Sequence, residues 1–179
     1  SYDTDRIRKE FLVQNLFSPG DVNMVYSFYD RLIVGGAVPK QEGLNLEAID
    51  PLKAEYFCER REVGIINIGG NGSVEVDGTG YKLAYKEALY VGRGAKKVVF
   101  KSDDANNEAR FYFNSALAHK EFPHKKVTLN DAEVLKLGSP EAANERELNK
   151  MLVNTVIETC QLQMGMTVLK TGSVWNTMP

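Results

Sequence analysis

Histidine and cysteine are scarce in this 179-residue chain, with two of each, and that scarcity removes several kinds of chemistry. An enclosed zinc site takes four protein ligands, and a catalytic one takes three and keeps a position open. His119 and His124 lie in "AHKEFPHKKV" with a proline before the second, and neither Cys58 nor Cys160 belongs to a CxxC pair, so no spacing assembles such a site. The two thiols are expected to be buried and free, with a single disulfide or a reactive cysteine as the alternatives. An excess of charge is also missing. The 22 Lys and Arg stand against 24 Asp and Glu, a formal net charge of -2, with both signs mixed along the chain. This balance gives no general attraction to nucleic acid or to an anionic membrane surface, and it leaves room for a local basic pocket. No apolar run approaches the roughly 20 residues that cross a bilayer. The start "SYDTDRIRKEFLVQNLF" is polar rather than a charged segment followed by a signal core. A soluble, cytoplasmic protein is the expectation. Internal repeats and low-complexity tracts are absent as well, so repeat and linker architectures gain no support.

The chain does hold enough apolar residues, 43% of the total, to build one substantial core or two small ones. In "TDRIRKEFLVQNLF", Ile7, Phe11 and Leu12 recur near helical spacing and predict a short surface helix covering an end of that core, stopped by Ser18-Pro19-Gly20. "VNMVYSFYDRLIVGGAVP" predicts strands broken at Gly35-Gly36 and at Pro39, followed by a loop with a short helical turn over residues 40 to 55. The central third is more explicit: "VGIINI", "SVEV", "YKLAY", "EALYV", "KKVVF" and "ARFYFNSA" are strand-length pieces separated by Gly, Asn and Asp, which reads as a series of hairpins. Val74 and Val76 face one side of their strand, Ser73 and Glu75 the other. "CQLQMGMTV" alternates through nine positions and predicts a further strand. In "GSPEAANERELNKML", Ser139 as cap, Pro140 at the first position and Leu148 and Leu152 four apart predict a short helix.

The glycine-rich "GGNGSVEVDG" invites a nucleotide-binding reading, which its surroundings refuse. A dinucleotide fingerprint needs G-x-G-x-x-G between a strand and a helix, so that the helix N-terminus faces the pyrophosphate. Gly70 and Gly72 are followed by Glu75 where the third glycine belongs, and the chain continues as a strand. "GMTVLKT" is a near miss for a P-loop, with Leu169 in place of the glycine before Lys170. Gly69 to Gly72 are therefore assigned to a tight connection in which glycine and Asn71 accept positive φ.

Among the basic residues, Arg60, Arg61, Arg93, Lys96 and Lys97 sit beside predicted strands and turns. Brought together, they would hold an anionic substrate, an arginine favouring a bidentate carboxylate contact. The competing role is that of exposed charges and salt-bridge partners, which the flanking Glu59 and Glu62 favour. Proton transfer needs one well-placed group, so either histidine could act as an acid or base.

The wording of several segments adds what periodicity does not. "MVYSFYDRLIVGGAVP", "YFCERREVGIINIGGNGSVEVDG", "ALYVGRGAKKVVF", "FYFNSALAH" and "ETCQLQMGMTVLKTGSVWNTMP" together resemble the N-terminal portion of the 5-keto-4-deoxyuronate isomerase family over nearly the whole chain, from about Arg8 to Pro179. The resemblance implies a bicupin, with two antiparallel β-sandwich or barrel domains in one polypeptide and short peripheral helices. It places an N-terminal cupin-like domain at residues 1–150 and a linking strand with the start of a second cupin at 151–179. It implies an aldose-ketose isomerase, an intramolecular oxidoreductase of pectin and uronate breakdown, that converts 5-dehydro-4-deoxy-D-glucuronate to 3-deoxy-D-glycero-2,5-hexodiulosonate. Zinc and a homo-oligomeric, hexameric assembly are implied with it.

In that family "GSVWNTMP" leads into the metal motif of the second cupin, so Gly172 and Trp175 to Pro179 match its approach and none of its ligands falls in these residues. The expectation is an N-terminal part of the enzyme that is inactive by itself and binds no zinc tightly. His119, which follows "FYFNSALAH", is the candidate catalytic residue, and Arg60 and Arg61 are the candidate contacts to a uronate carboxylate. The competing reading is a free-standing β-sandwich that binds carbohydrate or a partner, carried by aromatics such as Tyr81 and Tyr85.

Overall fold

A computed structural model describes residues 1–174. Helix α1 (Thr4–Phe11) is followed by β1 (Val22–Tyr26), β2 (Ile33–Ala37), β3 (Leu44–Asn45), β4 (Arg61–Asn67), β5 (Gly72–Val76), β6 (Thr79–Leu83), β7 (Ala88–Val91), β8 (Val98–Ser102), β9 (Phe111–Leu117), β10 (Lys125–Val127), β11 (Glu133–Leu137), β12 (Arg146–Leu152) and β13 (Met164–Leu169). Two short 3-10 turns, Asp50–Leu52 and Phe57–Glu59, precede β4. The strands form three antiparallel sheets in the orders β1-β2-β9-β4-β7-β10, β3-β8-β5-β6 and β11-β12-β13. No helix among the described residues is long and apolar enough to cross a membrane.

The first two sheets pack face to face as the expected antiparallel sandwich. Alternate residues of the larger sheet, including Val63, Ile65, Phe111 and Phe113, meet Val74, Val76, Val98 and Phe100 of the smaller one. The Phe100 ring lies 5.3 Å from Phe111 and 5.9 Å from Phe113, centroid to centroid. A second core fills the opposite face of the larger sheet, where Ile66, Ala88, Tyr90 and Val127 meet Met151, Leu152, Leu162 and Met164. The larger sheet is thus covered on both faces at its centre, and every residue of β4 is buried. Gly64 on that strand has no room for a side chain, because a Cβ there would run into Met164, Leu152 and Leu162.

The central strands form as read, but they do not form a run of hairpins. Only β5 and β6 are paired with their chain neighbour within this stretch, across the Asp77-Gly78 turn; β4, β7 and β9 lie in one sheet and β5, β6 and β8 in the other. The glycine-rich connection after β4 is one of these crossings between sheets. Positive φ is not what its glycines supply, since none of residues 69 to 72 adopts it. They are needed for proximity: a Cβ on Gly69 or Gly70 would strike the backbone of residues 107 to 110, which pass directly alongside. The Asn67 side chain organises the crossing, donating to the carbonyls of Gly70 (2.7 Å) and Leu83 (2.9 Å) and accepting from the N–H groups of Gly69 (3.1 Å) and Arg110 (3.2 Å).

Four local expectations are corrected. Gly35 and Gly36 lie inside β2 rather than breaking it, their missing side chains giving space to Phe113 and Phe17. The helix expected in "GSPEAANERELNKML" is strand β12, held between β11 and β13; Ser139 accepts from the N–H of Ala142 in a turn instead of capping a helix. The strand in "CQLQMGMTV" starts at Met164, not Cys160. Helix α1, capped by Asp3 through a 2.8 Å bond from Arg6 N–H, buries none of its residues and covers no part of the core.

Candidate functional site

Three arginines converge at one end of the sandwich because their positions follow or begin secondary structure there. Arg60 and Arg61 stand where the chain enters β4, and Arg93 follows β7, the neighbour of β4 in the sheet. With Tyr26, Arg31, His119 and Gln161 they line a cleft of about 690 Å³. No Asp or Glu is among its lining residues, so the cleft is cationic in a protein whose net charge is near zero. Lys96 and Lys97 do not join it; their backbone N–H groups bind the Asp77 carboxylate at the β5–β6 turn.

The two predicted arginines differ in what they offer. Arg61 is buried and committed: its guanidinium donates to the Ser115 hydroxyl (3.0 Å), the Ser115 carbonyl (2.8 Å) and the Arg31 carbonyl (2.5 Å). Burial lowers its pKa from the ordinary arginine value. Arg60 gives one guanidinium nitrogen to the carbonyls of Leu52 (2.8 Å) and Lys53 (2.6 Å) and sets another 3.7 Å from the Glu59 carboxylate, the salt-bridge role expected of that flanking acid, while its side chain remains half exposed. Arg93 is tied to the Glu59 and Ala118 carbonyls. Arg31 enters from the β1–β2 hairpin tip, where Asp30 and Arg31 both hold left-handed backbone, at φ 51° and 52°. Its carbonyl is thereby aimed at Arg61. No sequence pattern marked Arg31 as a neighbour of the pair.

His119 and His124 separate. His119 is exposed on the cleft wall, with its Nδ1 3.1 Å from the Cys160 sulfur, which also accepts the His119 backbone N–H at 3.3 Å. His124 lies elsewhere and accepts the Gly92 N–H through Nδ1 at 3.0 Å; burial lowers its pKa. Both cysteines are free. Cys58 is sealed in the core and its thiol is pushed up to about 12 by burial, whereas Cys160 is half buried. Tyr81 packs against the core, and Tyr85 stands exposed beside Lys86.

Glu62 was read as a surface charge balancing the arginines. It is instead fully buried on the opposite face of β4, where its carboxylate accepts from the Tyr90 hydroxyl (2.6 Å) and from the N–H groups of Cys160 (2.8 Å), Gln161 (2.7 Å) and Leu162 (2.7 Å). These bonds fix the segment that carries Gln161 to the cleft and Cys160 against His119. Burial and the neighbouring Glu62 together raise the Tyr90 pKa, so the phenol stays protonated and donates.

The zinc implied by the family resemblance does not fit the described residues. Among them no three His, Cys, Asp or Glu side chains are grouped to share an ion, and His119 with Cys160 supplies two donors where a catalytic zinc takes three. Trp175 to Pro179, the expected approach to a metal motif, lie outside the described residues.

Comparison with known proteins agrees with this architecture. The chain is 60% identical over 179 residues to the 4-deoxy-L-threo-5-hexosulose-uronate ketol-isomerase of Bacteroides fragilis, and 60% identical over 178 residues to that of Formosa agariphila. It spans 64% of the length of each. An IolB-like protein from Salmonella typhimurium superposes with a TM-score of 0.57 at 13% identity, covering 80% of this chain and 54% of that one, a likeness of fold alone. The predominantly β architecture with short peripheral helices is the cupin-like sandwich expected. Residues 11–179 match the model of one family, and with identities of this size the conclusion follows: the chain belongs to the KduI/IolB family.

Proposed function

We propose that the complete protein is a ketol-isomerase of uronate breakdown, converting 5-dehydro-4-deoxy-D-glucuronate to 3-deoxy-D-glycero-2,5-hexodiulosonate, and that this chain supplies its N-terminal scaffold. The 60% identity across all 179 residues to ketol-isomerases carries the reading. The reaction moves a proton and redistributes a carbonyl through an enediol, so it requires a base, an acid and a means of stabilising charge on oxygen. The zinc is assigned to the remaining length of the complete protein. The division into residues 1–150 and 151–179 belongs to the same proposal, with β12 running through the boundary. A homohexamer and a cytoplasmic location complete it.

Within this chain the cleft would receive the substrate carboxylate. Arg60, half exposed, with a long 3.7 Å ion pair to Glu59 that an incoming carboxylate would replace, is the contact to that group; Arg61 shapes the wall behind it. His119 is placed on the cleft wall to hold or move a proton, its Nδ1 3.1 Å and its Nε2 3.8 Å from the Cys160 sulfur. Assay of the complete, metal-loaded protein on 5-dehydro-4-deoxy-D-glucuronate tests the activity, with metal analysis and light scattering on the same preparation. Turnover with one zinc per subunit in a hexamer is expected. A folded, zinc-loaded protein that leaves the substrate unchanged would remove the proposal, and stoichiometric zinc on the 179-residue chain alone would relocate the metal.

A further inference from the structure

We propose that Cys160, served by His119, is a nucleophilic thiol at the edge of the arginine-bearing cleft, forming a covalent site for small carboxylates that carry an electrophilic carbon. Three observations meet there. The sulfur is half buried rather than sealed, and it lies 3.1 Å from the imidazole Nδ1 of His119 while accepting that residue's N–H at 3.3 Å. The imidazole is within reach of the thiol proton, and the thiolate left by its removal is the reactive form. His119 in turn lines a cleft that also presents Arg31, Arg60, Arg61 and Arg93 and no carboxylate side chain. Cys160 adjoins this space through His119 and its chain neighbour Gln161, which both line it, and the arginines draw an anion into it.

The site is held in place by groups with no other evident task. Cys160 and Gln161 are anchored by their backbone N–H groups to the buried Glu62 carboxylate, and the Gln161 side chain reaches back to the Leu117 carbonyl on the strand that leads to His119. The Glu62 carboxylate that anchors this segment is itself occupied by three N–H donors and the Tyr90 hydroxyl. Cys58 provides an internal contrast: it is sealed in the core, and burial disfavours its thiolate.

The bonding balances without an oxidant. With a haloacetate, the sulfur–carbon bond forms as the carbon–halogen bond breaks, the halide leaves, and the thiol proton passes to His119. With an aldehyde- or keto-acid, the sulfur adds to the carbonyl carbon, the π pair moves onto oxygen, and the proton held by His119 goes to that oxygen, giving a reversible thiohemiacetal. The proposal shares the cleft with the isomerase reading but not its test, since labelling rates do not depend on turnover.

The complete protein is treated with sub-stoichiometric iodoacetate or iodoacetamide, and the Cys58 and Cys160 peptides are followed by mass spectrometry. Cys160 is expected to react about tenfold faster than an unstructured peptide of the same sequence, with Cys58 silent. Its preference for iodoacetate over iodoacetamide should exceed that of the peptide about fivefold and shrink when salt screens the arginines. His119→Asn should slow both reagents. Glyoxylate should protect Cys160 more strongly than acetate at equal concentration. Peptide-like rates and preference overturn the proposal, as does a fast thiol that ignores the charge of the reagent; equal protection by acetate overturns the covalent step. If His119→Asn fails to fold, the salt and reagent series on the unaltered protein still decides.

Discussion

The Tyr90 hydroxyl donates to the Glu62 carboxylate at 2.6 Å, and both side chains are closed off from solvent. The same carboxylate closes a loop almost one hundred residues away by accepting three consecutive N–H groups from Cys160 to Leu162. Replacing Glu62 with Ala leaves those buried donors without partners, and the expected loss is about 3–5 kcal/mol of unfolding free energy. Tyr90→Phe, which removes one donor only, should cost about 1–2 kcal/mol. Urea denaturation of the three proteins measures both, and equal small losses would show that the carboxylate is not the fastener described.

Arg60 and Arg61 should separate in experiment although they are adjacent. Arg61→Ala removes three hydrogen bonds, two of them buried, and is expected to lower stability by about 2–4 kcal/mol. Arg60→Ala should leave the melting temperature of the complete protein within about 3 °C of the unaltered one and raise KM for a uronate substrate. Unchanged KM and kcat/KM in a folded Arg60→Ala protein would withdraw this residue from carboxylate recognition.

Glycine substitutions test why the sheet crossing is glycine-rich. Gly70→Ala places a methyl group against the Asn107 carbonyl, and Gly64→Ala places one against Met164 and Leu152. Each is expected to cost about 1–3 kcal/mol through displaced backbone or packing. Gly80→Ala meets nothing within 4 Å and should be neutral or mildly stabilising. Thermal denaturation ranks the three, and a harmless Gly70→Ala would refute the close-approach account.

His124 should make stability depend on pH. Burial lowers its folded-state pKa, and its Nδ1 accepts from Gly92 N–H, which requires the neutral ring. The unfolded chain therefore binds the proton at higher pH than the folded one. This contribution is complete above the ordinary histidine range and is lost as pH falls from that range toward the depressed value. The urea midpoint should fall between about pH 7.5 and pH 5.5, and the fall should be smaller for His124→Asn, whose carbonyl accepts without titrating. Equal slopes for the two proteins would exclude His124 as the source.

Much of the strand content was legible because it rests on short-range patterns. The alternation of Val74 and Val76 with Ser73 and Glu75 matches their burial, and Asp77-Gly78 is the turn that a two-residue hairpin requires, both residues at positive φ. The "NERELNKML" stretch misled because Leu148 and Leu152 are four apart, a spacing compatible with either period. Pairing with β11 and β13 outweighed that local signal. Glu62 misled for a similar reason, since a carboxylate next to an arginine pair looks like a salt-bridge partner until the strand turns neighbours to opposite faces.

The residue order by itself determined the antiparallel β class, the Asp77-Gly78 hairpin, the failure of the nucleotide motifs and the presence of arginines near the start of β4, because propensity, alternation and turn chemistry act over a few residues. Tertiary structure alone decided that β4 is buried on both faces, that Arg60 stays accessible while Arg61 is consumed, and that Cys160 meets His119 across 41 positions. Those outcomes depend on which strands become neighbours and on which buried donors find acceptors, and both are settled only when distant segments close on a common core.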